Sequence, residues 1–461
     1  MLNHTKVLTS EPFFSRDRGF YKSFFQMMLI IALQNMITYS VNMADNVMLG
    51  AYDQTVLAGA AAVNQIQYIL QQFTMMGLGE GLVILAGQYW GRGNTQRVQK
   101  LVGTALLCGL AAGGALTLVA FLSPLSLISL FTDTVAVQRQ ALAYLSIVRW
   151  TYLIFVVSNL LLVALRSMQI VKIAFQVSCV ALVLNVCINY ALIFGKLGMP
   201  EMGIEGAAIG TLIARFVELL IVLWYYRKGK MPVRFHVRQM FVLDKQLFGD
   251  FLKVSVPCVL SALLFSSAVA IQTVIFGHLS EDALAAASAS GTLFQYCKMI
   301  PVSAAAAASV WISKTIGSGQ RSQLHAYVRT LQVLFLAIGV LLCALLLCVR
   351  GPVLSLYAIS PQAREYAMQM LLVQAIISIG MAYQMPCQVG VIRGGGDTRY
   401  SMISDLIYSW LFTVPLGLLS AFVWGWPFIA VTFCLNCDQL LKCLTVGIKI
   451  NRYTWIRELA K

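Results

Sequence analysis

Charge is scarce in this chain. Only 11% of its 461 residues are Asp, Glu, Lys or Arg, where soluble domains carry about 25%. The shortage falls hardest on acids, which number 18 against 33 basic residues. Hydrophobic residues make up 59% and the mean hydropathy is +0.78. Too few polar groups remain to cover a surface in water, so lipid is the solvent this composition requires. Long polar stretches are missing too. The longest, near 227–247, is too short for a domain with its own core. Residues 1–23 are polar and basic, without the short apolar run and small-residue cleavage site of a signal peptide.

Catalytic signatures are also lacking. There is no phosphate loop, dinucleotide fingerprint or Ser-His-Asp arrangement. The four histidines (His4, His236, His278, His325) have no neighbour suited to metal binding or acid–base work. The chain is read as a non-enzyme with no resident cofactor, and any uphill transport must draw on an ion gradient. Most of the eleven cysteines, Cys108, Cys179, Cys187, Cys258, Cys343 and Cys434 among them, lie in apolar runs and read as small packing residues.

What is present is apolar sequence in regular lengths. A window of about 20 residues, the length that crosses a bilayer, predicts twelve spans: 24–49, 57–88, 99–122, 139–164, 172–195, 204–226, 248–276, 283–313, 326–348, 364–392, 400–423 and 426–448. They are numbered 1 to 12 below. Twenty-six Lys and Arg residues fall on the side of the two termini and four on the other. Three more, Arg149, Arg215 and Lys298, lie inside spans. This bias predicts both termini in the cytoplasm. The net charge of +15 is then a topology signal and a contact for the lipid bilayer rather than a nucleic-acid surface.

The two halves align at an offset of 227 residues. VNMADNVMLG (41–50) meets AVAIQTVIFG (268–277), Leu57-Ala58 meets Leu284-Ala285, and LRSMQIVK (165–172) meets IRGGGDTR (392–399). One gap later QYWGRGN (88–94) meets KTIGSGQ (314–320). Six spans per half is an even number, so the repeats are parallel and both enter from the same side. The expected fold is an all-α membrane protein of twelve transmembrane helices in two parallel six-helix repeats around a central cleft. Its parts are an N-terminal bundle (1–226), a basic cytoplasmic linker (227–247) and a C-terminal bundle (248–461), as a monomer.

An ionised side chain in hydrocarbon must be paired, hydrated or neutralised, which makes the five intramembrane acids informative. At 100° per residue Gln34, Thr38, Asn42 and Asp45 form one polar stripe on span 1, and Ser178, Asn185 and Asn189 another on span 5. The two stripes are expected to face each other. Asp45 is the leading ion-coupling candidate, with Glu80, set between Gly79 and Gly81, as its helper. Each has a structural alternative, a hydrogen-bonded acid for Asp45 and a bond to backbone or arginine for Glu80. Glu218 lies three residues after Arg215 and reads as a self-neutralising pair. Asp405 or Asp438 is expected to pair with Lys298 in a structural role. Burial favours a protonated carboxylate and a nearby cation an ionised one, so changing surroundings change proton occupancy.

The segments ADNVMLG, GEGLVILAGQYWGRGN, VIRGGGDTR, DLIYSWLFTVPLG and DQLLKCLTVGIKINRYTWIREL, in this order and duplication, resemble the multidrug and toxic compound extrusion (MATE) family over nearly the whole chain. That resemblance implies a bacterial inner-membrane antiporter expelling small organic cations in exchange for H⁺ or Na⁺. The chain departs from the family pattern in three places. Ile30-Ile31 stands before Ala32 where a proline is common. Asn185 and Asn189 replace an Asn–Asp pair. Gln272 and Gln384 are the polar residues of spans 7 and 10, where the sodium-linked subgroup carries acids. The last departure favours H⁺, and leaves Gln272 and Gln384 with Gln34, Thr38 and Asn42 as candidate cleft-lining residues. Two other readings stay open. A flippase or exporter of amphiphilic or lipid-linked substrates on a related scaffold predicts a strongly cationic cleft. A receptor or assembly factor predicts no transport at all.

Overall fold

The structure, a computed structural model, describes residues 14–228, 244–355, 357 and 359–460. The expected linker at 227–247 falls largely outside them. All regular structure among the described residues is helical. Eleven helices are long and apolar enough to cross a membrane, and a bent pair brings the count to twelve. They run Arg18–Tyr52, Gln54–Gly91, Thr95–Leu122, Val135–Val148 with Thr151–Ser167, Lys172–Ile193, Gly203–Arg227, Lys245–Leu279, Glu281–Gly317, Ser322–Leu354, Pro361–Ile392, Thr398–Val423 and Phe428–Asn451. These correspond one for one to spans 1 to 12. Span 4 bends by 53° at Arg149–Trp150.

The repeat recurs in the helix ends. Moved by 227 residues, Arg18–Tyr52 falls on Lys245–Leu279, span 1 on span 7. Asp53 caps span 2 by accepting from the amides of Thr55 (2.7 Å) and Val56 (3.1 Å). Those two donors hold its carboxyl below the ordinary carboxylate range. Its repeat partner Ser280 caps span 8 by accepting from the Ala283 amide at 3.0 Å. Span 1 is one uninterrupted helix, and its missing proline survives in the other repeat as Pro257, inside span 7. Packing follows the same plan. Span 4 packs on spans 2 and 3 and span 5 on span 6, while span 10 packs on spans 8 and 9 and span 11 on span 12.

By packing, the chain forms two compact units. One contains Leu33–Ala86 and Asn94–Val259, and is called here the first-half unit. The second-half unit contains the chain up to Ala32, Gly87–Gly93 and everything from Leu260 onward. The sequence boundaries at 226 and 248 therefore follow the repeat rather than the packing. The exchange obeys the same offset, because the break after Ala32 in span 1 maps onto the break after Val259 in span 7. Apolar anchors explain it. In the second-half unit, Phe20 is fully buried, stacked on Tyr327 (centroids 4.5 Å apart) and edge-on to Trp311 (5.3 Å). In the first-half unit, Gly77 and Gly81 of span 2 leave room for Val259 and Ser255 of span 7.

Gly87–Gly93 enters the second-half unit by close backbone approach. A Cβ on Gly317 would stand 2.1 Å from the Gln88 carbonyl oxygen. The Gln88 side chain in turn holds the C-terminal segment, donating to the Arg457 carbonyl (3.0 Å) and accepting from the Leu459 (2.8 Å) and Ala460 (3.2 Å) amides. Gly317→Ala is expected to lower stability by about 1–3 kcal/mol, the usual cost of overpacking, read as the thermal unfolding midpoint of the purified protein. An unchanged midpoint would refute this close approach.

Three cations expected in cytoplasmic loops are instead drawn into the protein. Arg393 and Lys442 are 5% and 2% exposed, and Arg166 forms an ion pair with Glu80. Removing these three from the 26 leaves 23 against four, so the charge asymmetry persists.

Candidate functional site

In the first-half unit, spans 1 and 5 meet at their polar stripes. Asn189 Nδ2 donates to Asp45 Oδ1 at 2.7 Å, the approach expected between the two stripes. Asn189 and Asn185 are 0% and 2% exposed, while Asp45 keeps partial access. The sequence allows this because Gly210 of span 6 has no side chain. A Cβ there would lie 1.9 Å from Asn189 Oδ1. Asp45 forms no ion pair among the described residues, although the charge of Arg215 reaches it through space. Arg215 itself is engaged by Glu218 at 2.8 Å, as the spacing predicted, and Ser158 also donates to Glu218 at 3.2 Å. Of the remaining span 1 stripe, Gln34 and Thr38 are half-buried and Asn42 is exposed. The Thr38 hydroxyl is turned back onto the Gln34 carbonyl at 3.0 Å.

Glu80 does not join Asp45. Its Oε1 receives Arg166 Nη2 at 2.9 Å in a buried ion pair, which is the structural alternative read from the sequence. Arg166 is the residue missed there. Its place at the end of an apolar span passed for a cytoplasmic position.

The second-half unit holds the denser charge network. Lys442 Nζ lies 3.1 Å from Asp405 Oδ1 and 3.2 Å from Asp438 Oδ2. Gln388 Nε2 adds a bond to Asp405 Oδ1 at 3.1 Å, and Ser261 Oγ donates to Asp405 Oδ2 while accepting from Arg393 Nη2 at 2.8 Å. The expected pairing with Lys298 is thus corrected, because both acids belong to Lys442. The signal was legible, since Lys442 follows Asp438 by four residues and so shares its helix face. Two π-helical stretches flank the network, Pro386–Ile392 carrying Gln388 and Leu406–Thr413 beginning just after Asp405. The two candidate cleft glutamines are tied to span 12. Gln384, 6% exposed, donates to Gln439 at 2.7 Å, and half-buried Gln272 donates to the Leu435 carbonyl at 2.7 Å. Gln384 is therefore corrected from a cleft-lining to a packing residue.

The arrangement separates two kinds of buried charge. In the second-half unit, two carboxylates share one ammonium. In the first-half unit, one carboxylate rests on an amide donor and has room to change occupancy.

Comparison with known proteins matches the MatE family model at residues 31–191 and 257–419, once in each half. Over 366 residues the chain is 26% identical to the probable multidrug resistance protein YoeA of Bacillus subtilis, covering 79% of this chain and 78% of that one. It is 24% identical to the probable multidrug resistance protein NorM of Thermotoga maritima, covering 85% of each. Among solved structures, a point mutant of the Vibrio cholerae MATE transporter VcmN superposes with a TM-score of 0.87 at 17% identity, covering 96% of this chain and 98% of that one. That similarity speaks to the fold.

Proposed function

The chain belongs to the MatE family, and from that premise we propose that it is a cation-coupled antiporter exporting small organic cations, with H⁺ as the coupling ion. Its relatives named as probable multidrug resistance proteins support drug efflux as the general activity. The observation that carries the coupling assignment is Asp45, a carboxylate within a transmembrane helix that rests on Asn189 and has no cation in contact among the described residues. A carboxylate so placed binds a proton at low energetic cost and loses it when a cationic ligand or water reaches it. Proton and substrate then compete for one negative charge, the mutual exclusion antiport requires. Alternating access follows if each ligand favours a different arrangement of the two homologous bundles around a central cleft. The basic asymmetry supports cytoplasmic termini in a bacterial inner membrane, and a monomer suffices because each chain carries both repeats.

The lack of acids at Gln272 and Gln384 supports H⁺ over Na⁺. The test is ethidium accumulation in everted vesicles with H⁺ and Na⁺ gradients imposed separately. The H⁺ gradient alone is expected to drive accumulation. Drive by Na⁺ alone would overturn the ion assignment, and movement of a lipid-linked saccharide without ethidium transport would favour the flippase reading.

A further inference from the structure

Lys298 is a cation in the middle of a transmembrane helix. It lies 17 residues from Glu281 and 19 from Gly317, the ends of span 8. More than about 25 Å of helix therefore extends on each side, at 1.5 Å per residue, and Lys298 cannot reach either membrane surface. The carboxylates of its half offer it no contact ion pair. Asp405 and Asp438 are both shared by Lys442, and Lys298 forms no ion pair among the described residues. Its ammonium instead stands 4.7 Å above the ring centroid of Phe265, an attraction that offsets only part of the charge.

The face of span 8 that carries Lys298 is open. Gly291, Gln295, Lys298 and Val302 fall within about 60° of one another on a helix of 3.6 residues per turn. All four keep access, while their flanking neighbours Ser290, Cys297, Met299, Pro301 and Ser303 are buried. An open stripe whose centre is an amide and an ammonium does not face lipid. It faces water. The repeat partner of Lys298 is Gln71, on the partly open Asn64, Gln67 and Gln71 stripe of span 2. The same helix face is thus polar in both halves, and only the second half charges it.

We propose that Lys298 is an anion-binding subsite for the carboxylate of an aromatic amphoteric substrate, with Phe265 supplying a ring face beside it. This rests on the transport reading above and narrows its substrate class. The half with Asp45 favours a cationic group, and the half with Lys298 favours an acidic one. Compounds bearing both outrank plain cations.

The test compares rhodamine B, which carries a carboxylate and a delocalised cation, with rhodamine B ethyl ester, which keeps only the cation. Binding is read by fluorescence anisotropy on the purified full chain. The wild-type protein is expected to bind the acid roughly tenfold more tightly than the ester, the worth of one charge-assisted hydrogen bond. Lys298→Met is expected to remove that preference with ester affinity unchanged, and Lys298→Arg to keep it. Equal wild-type affinity for the two dyes, binding of neither, or a preference that survives in Lys298→Met would overturn the subsite. Proton-driven uptake of the ester into everted vesicles separates the two readings. Uptake without the dye preference sinks the subsite alone, whereas absence of any gradient-driven uptake sinks the transport assignment beneath it.

Discussion

Asp45→Asn is expected to abolish proton-driven accumulation of ethidium in everted vesicles while leaving the protein folded and inserted. The substitution is nearly isosteric and keeps an acceptor oxygen for Asn189 Nδ2, whose 2.7 Å bond links spans 1 and 5. What it removes is the titratable charge. A coupling free energy of about 1–3 kcal/mol corresponds to roughly a 5- to 150-fold change in affinity of one ligand caused by the other, and a loss of gradient dependence on that scale is the expected readout. Downhill substrate movement and the unfolding midpoint should stay close to wild type, because Asp45 takes part in no ion pair whose partner would be stranded. Undiminished proton-driven accumulation in a correctly inserted Asp45→Asn protein would remove this residue from the mechanism. The companion substitution Glu80→Gln should behave differently. It leaves the half-buried Arg166 without its carboxylate, so its cost appears first in stability.

The second large effect lies in the other half and concerns folding. Lys442→Met should destabilise the protein by about 3–5 kcal/mol, the cost of breaking a buried pair from one side. Lys442 is 2% exposed and is the ammonium in contact with both Asp405 and Asp438. Gln388, Ser261 and Gln439 donate to the same carboxylates, but neutral donors do not balance two negative charges. Combining Lys442→Met with Asp405→Asn and Asp438→Asn removes every charge of the triad together and should recover most of the loss. The measurement is thermal unfolding of the purified variants side by side. A single Lys442→Met protein as stable as wild type would show that the triad is not the structural centre described here. The triple variant also checks the division of labour, since proton-driven transport should persist in it if coupling resides at Asp45.

Much of this was legible in the sequence because lipid imposes simple rules. Every backbone polar group in hydrocarbon must be satisfied within its own segment, so apolar stretches of sufficient length become helices whatever their neighbours do. The twelve expected spans therefore appear as twelve, and the offset of 227 that aligns Gly50 with Gly277 also aligns the helix ends and the caps Asp53 and Ser280. The meeting of Asp45 with Asn189 was readable for the same reason, because polar stripes on lipid-borne helices have few places to turn.

Partner choice among buried charges was not readable. Lys298 and Lys442 are the same residue type in the same half, and only the crossing of spans 7, 10, 11 and 12 gives both acids to Lys442 and leaves Lys298 above Phe265. Nor did hydropathy distinguish Arg166 and Arg393, drawn inward at helix ends, from cytoplasmic topology residues. The exchange of the starts of spans 1 and 7 between packing units was likewise hidden, since a continuous helix gives no local mark where its neighbours change. The chain by itself determined how many times it crosses the membrane, that it does so twice over by one plan, and which carboxylates sit at membrane depth. The tertiary structure decided which of those carboxylates are neutralised and which remains open to a proton, because ionic contacts extend only a few ångströms and depend on how helices distant in sequence cross.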